Sequence, residues 1–440
     1  MATTFYVLLP DYARKRIAVV QNGDGLALPV FTSQDDVRFN TVSGINSAVT
    51  SSWNIPVTVS RCLNPGENGD SAVFALHNHD ENWKLPANAE WVDVSQLPHS
   101  TFDKEEQRLA VLDWLSSEKD DSWQNVPWSS PSWLAKATEW INKCVQSIGA
   151  TVIGDPVQVR VWAISCVLRV STTAGVFYFK ASPHFWDYEP IVARYLLGNF
   201  PHYMVDVAAV EPEQHWMLTK EWAGSPPETR EEWCKVLQVL REIQRHCDNR
   251  LDALLSLGCK NRRLEQLPTL LQPVFDELKQ PDMRKLYGVN EEESVELARR
   301  LQLLPELCDK LGQYGITDTL IHGDLWGSNI IVRDVFSGKS PVIFDWTDAA
   351  ISHPFFDIYC VLTSEKDDAK RSEEWQAHID VWSEVLPHQE VVNALEVSER
   401  VAPYYYLLAY RNVELNTPVQ SRWELLYLLH RFVHKILEAP

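Results

Sequence analysis

From Gly224 to the C-terminus the chain is patterned as helix almost throughout, and one interruption limits what that half can become. A short β-type stretch, Thr317–Val332 with Pro341–Phe344, breaks the helical pattern. Its apolar runs end beside polar loops, which places Asp324, Asn329 and Asp345 at the mouths of a small sheet. Upstream the periodicity is that of strands. Val157–Trp162, Cys166–Ser171 and Val176–Lys180 are joined by short turns. A helix is expected at Asp187–Leu197, followed by a strand pair near Val205–Val210 and His215–Thr219. Five strands with one helix, then a helical lobe with a small β insert, predict an α+β, bilobal arrangement with a cleft between unlike halves.

The first block, residues 1–100, is a separate α/β pattern. Its β-type runs are Phe5–Leu9, Arg16–Val20, Pro56–Arg61, Ala72–Leu76 and Glu90–Val94, with a helix near Gly44–Ser52. Turn clusters such as Asn22-Gly23-Asp24-Gly25 and Asn64-Pro65-Gly66 separate them. A connector, 101–150, follows. Asp103–Ser116 is expected to be helical with Leu109, Leu112 and Leu115 on one face, and Ser117–Ser130 to be the most flexible point. Pro131–Ile148 reads as a second helix, capped by Ser130, with Trp133, Ala137, Trp140, Ile141 and Cys144 sharing a face. The remainder divides into a small lobe, 151–224, and a helical lobe, 225–440.

Composition narrows the functions. With 440 residues, 45% of them hydrophobic, a large core can be buried. A formal net charge of −20 argues against binding nucleic-acid phosphates as the main activity. The eight cysteines include no Cys-x-x-Cys pair, so they suggest neither a zinc site nor a disulfide framework. Signal-peptide and membrane-span patterns are missing, and a soluble cytoplasmic protein is expected.

The chemistry is concentrated in His322-Gly323-Asp324-Leu325-Trp326-Gly327-Ser328-Asn329, followed by Phe344-Asp345-Trp346. Phosphoryl transfer from ATP needs a carboxylate to take the hydroxyl proton and hard oxygen ligands for Mg²⁺. Asp324, Asn329 and Asp345 supply those atoms, at the His-x-Asp-x-x-x-x-Asn spacing of a kinase catalytic loop. Read blandly, the same residues would be turn and cap residues.

These motifs, with Ala349 downstream, resemble the aminoglycoside phosphotransferase and choline kinase group, the "phosphotransferase enzyme family". The resemblance runs from about Trp133 to the C-terminus and implies a protein-kinase-like fold. It implies that Asp324 is the catalytic base, that Asn329 and Asp345 hold Mg²⁺, and that His322 supports the loop. Asp348 either reaches metal or substrate or is a solvated turn residue. Pro354 and Asp357 match the family's Pro-x-x-Asp helix start, with Asp357 as a brace for the loop. In kinase-like folds a lysine on the third strand contacts the α/β-phosphates and pairs with a helix glutamate. Lys180 and Glu189 fit those roles, with Asp187 as helix cap.

The glycine-rich phosphate loop of protein kinases is missing. Trp162-Ala163-Ile164-Ser165 stands there, so backbone amides near Ser165, and Ser165 itself, are the candidate phosphate contacts. Trp222 is either packing or a nucleotide contact. A small-molecule hydroxyl acceptor is expected near Asp324, among helices carrying Trp375, Trp382, Tyr404, Tyr405, Tyr406 and Tyr410. Three consecutive tyrosines on one helix point about 100° apart and so should not be wholly core; they either line a pocket in part or, read blandly, form lobe core with polar tips. The pair Asn290 and Glu293 should cap a long helix with Leu297, Leu301, Leu304 and Leu311 on its buried stripe. The first block loosely resembles a Nudix-type shell. The stretch Gly44–Val57 lacks the metal-binding glutamates such an enzyme requires, which points to binding of a ligand or partner, with no candidate for either. The alternative for the whole chain is a catalytically silent nucleotide-binding regulator.

Overall fold

The computed structural model describes residues 2–22, 25–66, 71–335, 338–364 and 367–439; Gly23 and Asp24 of the first turn cluster lie outside them. The chain packs as two compact units. The first comprises Met1–His184, Trp216–Leu218 and Thr417–Glu424, and the second Phe185–His215, Thr219–Asn416 and Leu425–Pro440.

The first unit begins with β1 (Thr3–Leu8), β2 (Arg16–Asn22), β3 (Gly25–Ala27), β4 (Val30–Ser33), α1 (Ser43–Trp53), β5 (Val57–Asn64), β6 (Ala72–Asn78) and β7 (Glu90–Asp93). One sheet has the order β4-β1-β6-β5, with β1 parallel to β6, and a second has the order β3-β2-β7. Every residue of β6 is buried, as befits an interior strand covered on both faces. Strands β3 and β4 were not readable from the pattern: at three and four residues they are too short to show an alternation.

Helix α2 (Glu105–Ser117) buries Gln107, Ala110, Val111 and Trp114 rather than the expected leucine face; Leu109 is 53% exposed. The indole of Trp114 covers more apolar area than a leucine and turns the helix towards it. The connector after α2 is pinned by aromatic burial, with Trp123, Val126 and Trp128 all in the core. Helix α3 (Trp133–Ser147) starts after Ser132, so Ser130 is not its cap, and it buries Trp133, Ala137, Ile141 and Val145.

Strands β8 (Val157–Trp162), β9 (Ser165–Thr172) and β10 (Gly175–Ala181) form antiparallel neighbours. The open edge of β8 is covered by the first block: Val42 N–H donates to Val159 O at 3.2 Å and Val161 N–H to Asn40 O at 3.0 Å. Buried Gln158 on β8 bonds the backbone of Val59 in both senses, accepting at 2.9 Å and donating at 3.0 Å. Its Oε1 also accepts from Asn46 on α1 at 3.1 Å. An unpaired edge strand is thereby closed by hydrogen bonds a solvent-facing edge would lack.

The second unit opens with α4 (Glu189–Asn199) and β11 (Val207–Glu211). Strand β12 (Trp216–Lys220) completes the sheet, whose order is β11-β12-β10-β9-β8. Then follow α5 (Arg230–Cys247), α6 (Leu251–Ser256), β13 (Lys260–Asn261), α7 (Leu267–Glu277), α8 (Pro281–Tyr287) and α9 (Glu291–Gly312). The β insert is β14 (Thr319–Ile321), β15 (Ile330–Val335), β16 (Gly338–Ile343) and β17 (Ala350–Ser352). Helices α10 (Phe355–Ser364), α11 (Asp368–Trp382), α12 (His388–Asn416) and α13 (Trp423–Glu438) close the chain. The expected α+β class holds, strand-rich first and helical after.

Asn290 and Glu293 form the expected reciprocal cap on α9, and Leu297, Leu301, Leu304 and Leu311 are its buried stripe. The tyrosine run follows the bland reading, lobe core with polar tips, more completely than its 100° spacing predicts. Tyr404, Tyr405 and Tyr406 are all in the core because α12 is enclosed by α7, α9, α10 and α11, so every direction of the helix finds a neighbour. Their polar tips are accommodated, as in the bond from Tyr406 Oη to Phe356 O at 2.8 Å.

Candidate active site

The loop Gly323–Asn329 leaves the buried strand β14 and returns through a short 3₁₀ turn, Gly327–Asn329, into β15. Two features hold its shape. Gly323 has φ 79°, and a Cβ there would lie 2.3 Å from Asp348 O, so only glycine fits against the 346–348 turn. Asp357, near the start of α10, accepts from the N–H groups of His322 at 3.1 Å and Gly323 at 2.8 Å, and from Gln244 Nε2 at 3.4 Å. Burial pushes the Asp357 carboxyl up to about 7, against the pull of those two N–H donors. Asp357 is therefore a brace for the loop.

His322 is fully buried and bonded at both ring nitrogens. The Asp324 amide can only donate, so Nδ1 accepts it, at 3.2 Å, and Nε2 carries the proton given to Phe344 O at 2.9 Å. The ring packs on Trp346 with centroids 4.7 Å apart. The histidine thus ties the Asp324 loop to the end of β16, immediately before Asp345. A second tie is the Phe344 N–H to Asn329 O bond at 3.1 Å.

Asp324 is half-buried. Asn329 Nδ2 donates to its backbone carbonyl at 2.9 Å and to its Oδ2 at 3.2 Å, and Trp326 Nε1–H donates to Oδ1. With Nδ2 so engaged, the Asn329 side-chain oxygen remains for another ligand. Burial, then Asp348 and Asp345, push the Asp324 carboxyl well above the usual carboxylate range, while Trp326 and Asn329 pull it down. Asp345 adopts a left-handed conformation, φ 64° and ψ 58°, at the head of the Trp346–Asp348 turn, and accepts from Thr347 Oγ1. Asp324, Asn329 and Asp345 are therefore brought together by the ends of β14, β15 and β16.

The other expected residues fall into place differently. Lys180 closes β10 and is half-buried; Glu189 lies in the first turn of α4 and is 1% exposed. Tyr188, not Asp187, is the N-cap of α4. Its Oη donates to Thr347 O at 2.7 Å, fixing the turn after Asp345. Ser165 is buried, and its Oγ accepts from Trp162 Nε1 at 2.7 Å. Trp222 carries the guanidinium of Arg333 at 3.9 Å from its ring centre. Asp348 is half-buried, and its charge is, after burial, a cause of the raised Asp324 carboxyl. Trp326, Thr347 and Tyr188 were not singled out by sequence reasoning. Only Trp326, two residues beyond Asp324, carried a signal that could have marked it.

Among the described residues no group of three or more His, Cys, Asp or Glu side chains is arranged for a metal ion. Two hard-oxygen ligands, one of them an amide, do not require such a cluster. No described helix is long and apolar enough to cross a membrane.

Residues 206–388 match the model of the phosphotransferase enzyme family, and the match contains His322, Asp324, Asn329, Asp345 and Asp357. It is the family whose motifs the loop His322–Asn329 resembles in sequence. Solved structures similar to this chain include a choline/ethanolamine kinase family protein from Mesorhizobium loti, at 12% identity and TM-score 0.46, covering 69% of this chain and 96% of that one. A choline kinase from Cryptosporidium parvum has 14% identity and TM-score 0.45, covering 70% and 92%. A macrolide 2′-phosphotransferase from Brachybacterium faecium has 14% identity and TM-score 0.41, covering 66% and 98%. No curated protein sequence matches.

Proposed function

We propose that the protein is an ATP- and Mg²⁺-dependent phosphotransferase that moves the γ-phosphate to a hydroxyl of a small molecule of amino-sugar, amino-alcohol or sugar type. The observation that carries this reading is the loop around Asp324, which holds that carboxylate on the Asn329 amide, beside Asp345, and braces it through Asp357.

Asp324 takes the proton of the acceptor hydroxyl as its oxygen bonds to the γ-phosphorus and the bridging oxygen leaves with ADP. Asn329 Oδ1 and Asp345 would hold Mg²⁺, which when bound neutralises charge on the phosphates. His322 keeps Asp345 in register with the loop. Lys180, Glu189 and Ser165 keep the nucleotide-side parts expected of them from sequence. For the first block, 1–100, we propose a binding or bracing role without hydrolysis, because α1, Ser43–Trp53, contains no carboxylate.

The test is phosphorylation of a panel of amino-sugars, amino-alcohols and sugars by the wild type and Asp324→Asn. Removing a general base costs about 10²–10⁴-fold. An unchanged rate removes Asp324 from this role. Nucleotide binding with no phosphorylated product across the panel and across metabolite extracts favours the silent regulator.

A further inference from the structure

The loop that carries Asp324 turns back on itself at Trp326. The Trp326 N–H donates to Asp324 O at 2.8 Å, and Trp326 O accepts from the Asn329 N–H, also at 2.8 Å. Leu325 between them is 0% exposed and anchors the loop in the core. With its backbone held on both sides, Trp326 reaches the side chain two residues before it, and Nε1–H donates to Asp324 Oδ1. Oδ2 accepts from Asn329 Nδ2 at 3.2 Å. Each oxygen of the carboxylate therefore has a donor of its own.

The torsion that spins a carboxylate about its own axis is broad and roughly two-fold. One donor leaves that rotation open, whereas a donor on each oxygen fixes the plane. The lone pairs left over then point in set directions, and an acceptor hydroxyl has to meet one of them. The indole suits this task. Its N–H is a donor only, so it grips the carboxylate without competing for a proton, as a hydroxyl would. Packing alone does not account for the residue: Trp326 stays half-buried, whereas Trp233 and Trp346 are 4% and 2% exposed. The guanidinium of Arg431, on α13, lies over the indole 5.8 Å from its ring centre, a cation–π contact that steadies the ring.

We propose that Trp326 is a positioning residue for Asp324: its indole N–H fixes the plane of the carboxylate, so that a remaining lone pair faces the acceptor hydroxyl. This rests on the phosphotransferase reading above, in which Asp324 takes the hydroxyl proton. The indole keeps its own proton throughout.

The experiment compares two substitutions in the full chain. Trp326→Phe keeps an aromatic ring and removes the donor. Trp326→His gives up the second ring of the indole and keeps a donor, since imidazole Nε2 superposes on indole Nε1. Turnover is measured with a panel member that the wild type phosphorylates, with Mg·ATP affinity by calorimetry and thermal melting alongside. We expect kcat to fall about 10–100-fold in Trp326→Phe, the worth of one hydrogen bond to a charged group. Nucleotide affinity should stay within about twofold, because the lost interaction serves the reacting hydroxyl and not the nucleotide. Trp326→His should recover most of the lost kcat. A second readout needs no acceptor: the indole N–H resonance missing from either variant should move upfield in Asp324→Asn, where a neutral oxygen replaces a charged one. Wild-type kcat in a folded Trp326→Phe overturns the inference, as does Trp326→His losing as much as Trp326→Phe. If Trp326→Phe does not fold, Trp326→His identifies the resonance, and a signal indifferent to Asp324→Asn overturns the inference. A wild type that phosphorylates nothing in the panel counts against the phosphotransferase reading and the inference together, whereas an active wild type with an indifferent Trp326→Phe counts against the inference alone.

Discussion

Gly323→Ala is the sharpest single perturbation of the Asp324 loop, because its consequence can be worked out from one contact. A methyl group at Gly323 meets Asp348 O at 2.3 Å, whereas such contacts become ordinary only at 3.4 Å. Backbone must therefore move by about 1 Å, on one side or the other, and a displacement of that size near the chemistry costs about 10²-fold in rate. Holding a non-glycine residue at φ 79° adds about 1–2 kcal/mol of strain. The neighbours leave little room to dissipate the shift: His322 and Gly323 are tied to Asp357, and the Asp324 amide to His322. We expect kcat for Mg·ATP-dependent acceptor phosphorylation to fall by about two orders of magnitude, with nucleotide affinity nearly unchanged and the folded state only modestly destabilised. Single-turnover kinetics, nucleotide titration and denaturant unfolding on the same preparation separate the three. Wild-type turnover with an unchanged unfolding midpoint would show that the loop yields freely at Gly323, and the close-packed account of Asp324 placement would be wrong.

Asp357→Ala should leave the His322 and Gly323 amides without their acceptor, lowering stability by about 2–4 kcal/mol and turnover with it; chemical denaturation checks the first, and a loss under 1 kcal/mol rejects the brace. Arg411 forks onto Glu277, with both contacts at 2.9 Å, and also meets the fully buried Glu414, so Arg411→Met strands buried charge and should cost about 3–5 kcal/mol. An unfolding midpoint near that of the wild type would refute it. Burial pushes the Glu424 carboxyl from 4.5 up to about 7. The folded protein thus holds that proton more tightly than the unfolded chain does, so stability should decline as pH rises through that window and level off above it, by roughly 3 kcal/mol at most. Glu424→Gln should flatten this slope in pH-dependent unfolding; an unaltered slope assigns it to another group.

The elements read best from sequence were those with long or strongly marked patterns. The three strands β8–β10, the cap and leucine stripe of α9, and the loop from His322 to Asn329 could all be placed, because each is encoded within a few neighbouring residues. Asp324, Asn329 and Asp345 could be singled out as candidates for the same reason: their chemistry and spacing are local. Short β3 and β4 could not be read, and the face of α2 was misjudged, because a three-residue strand has no period and a helix turns towards whichever side chain its neighbours cover best.

What only the tertiary structure decided is which distant side chains serve those local motifs. Nothing near Asp324 in sequence indicates that Trp326 would donate to its carboxylate, that Tyr188 would bond the turn after Asp345, or that Glu424 would occupy the Ala163 amide 261 residues away. The tyrosines of α12 are core because other helices surround them, a property of the assembly and not of the helix. Local sequence determines backbone shape and the supply of reactive groups; burial and long-range hydrogen bonds are set only when the chain closes on itself.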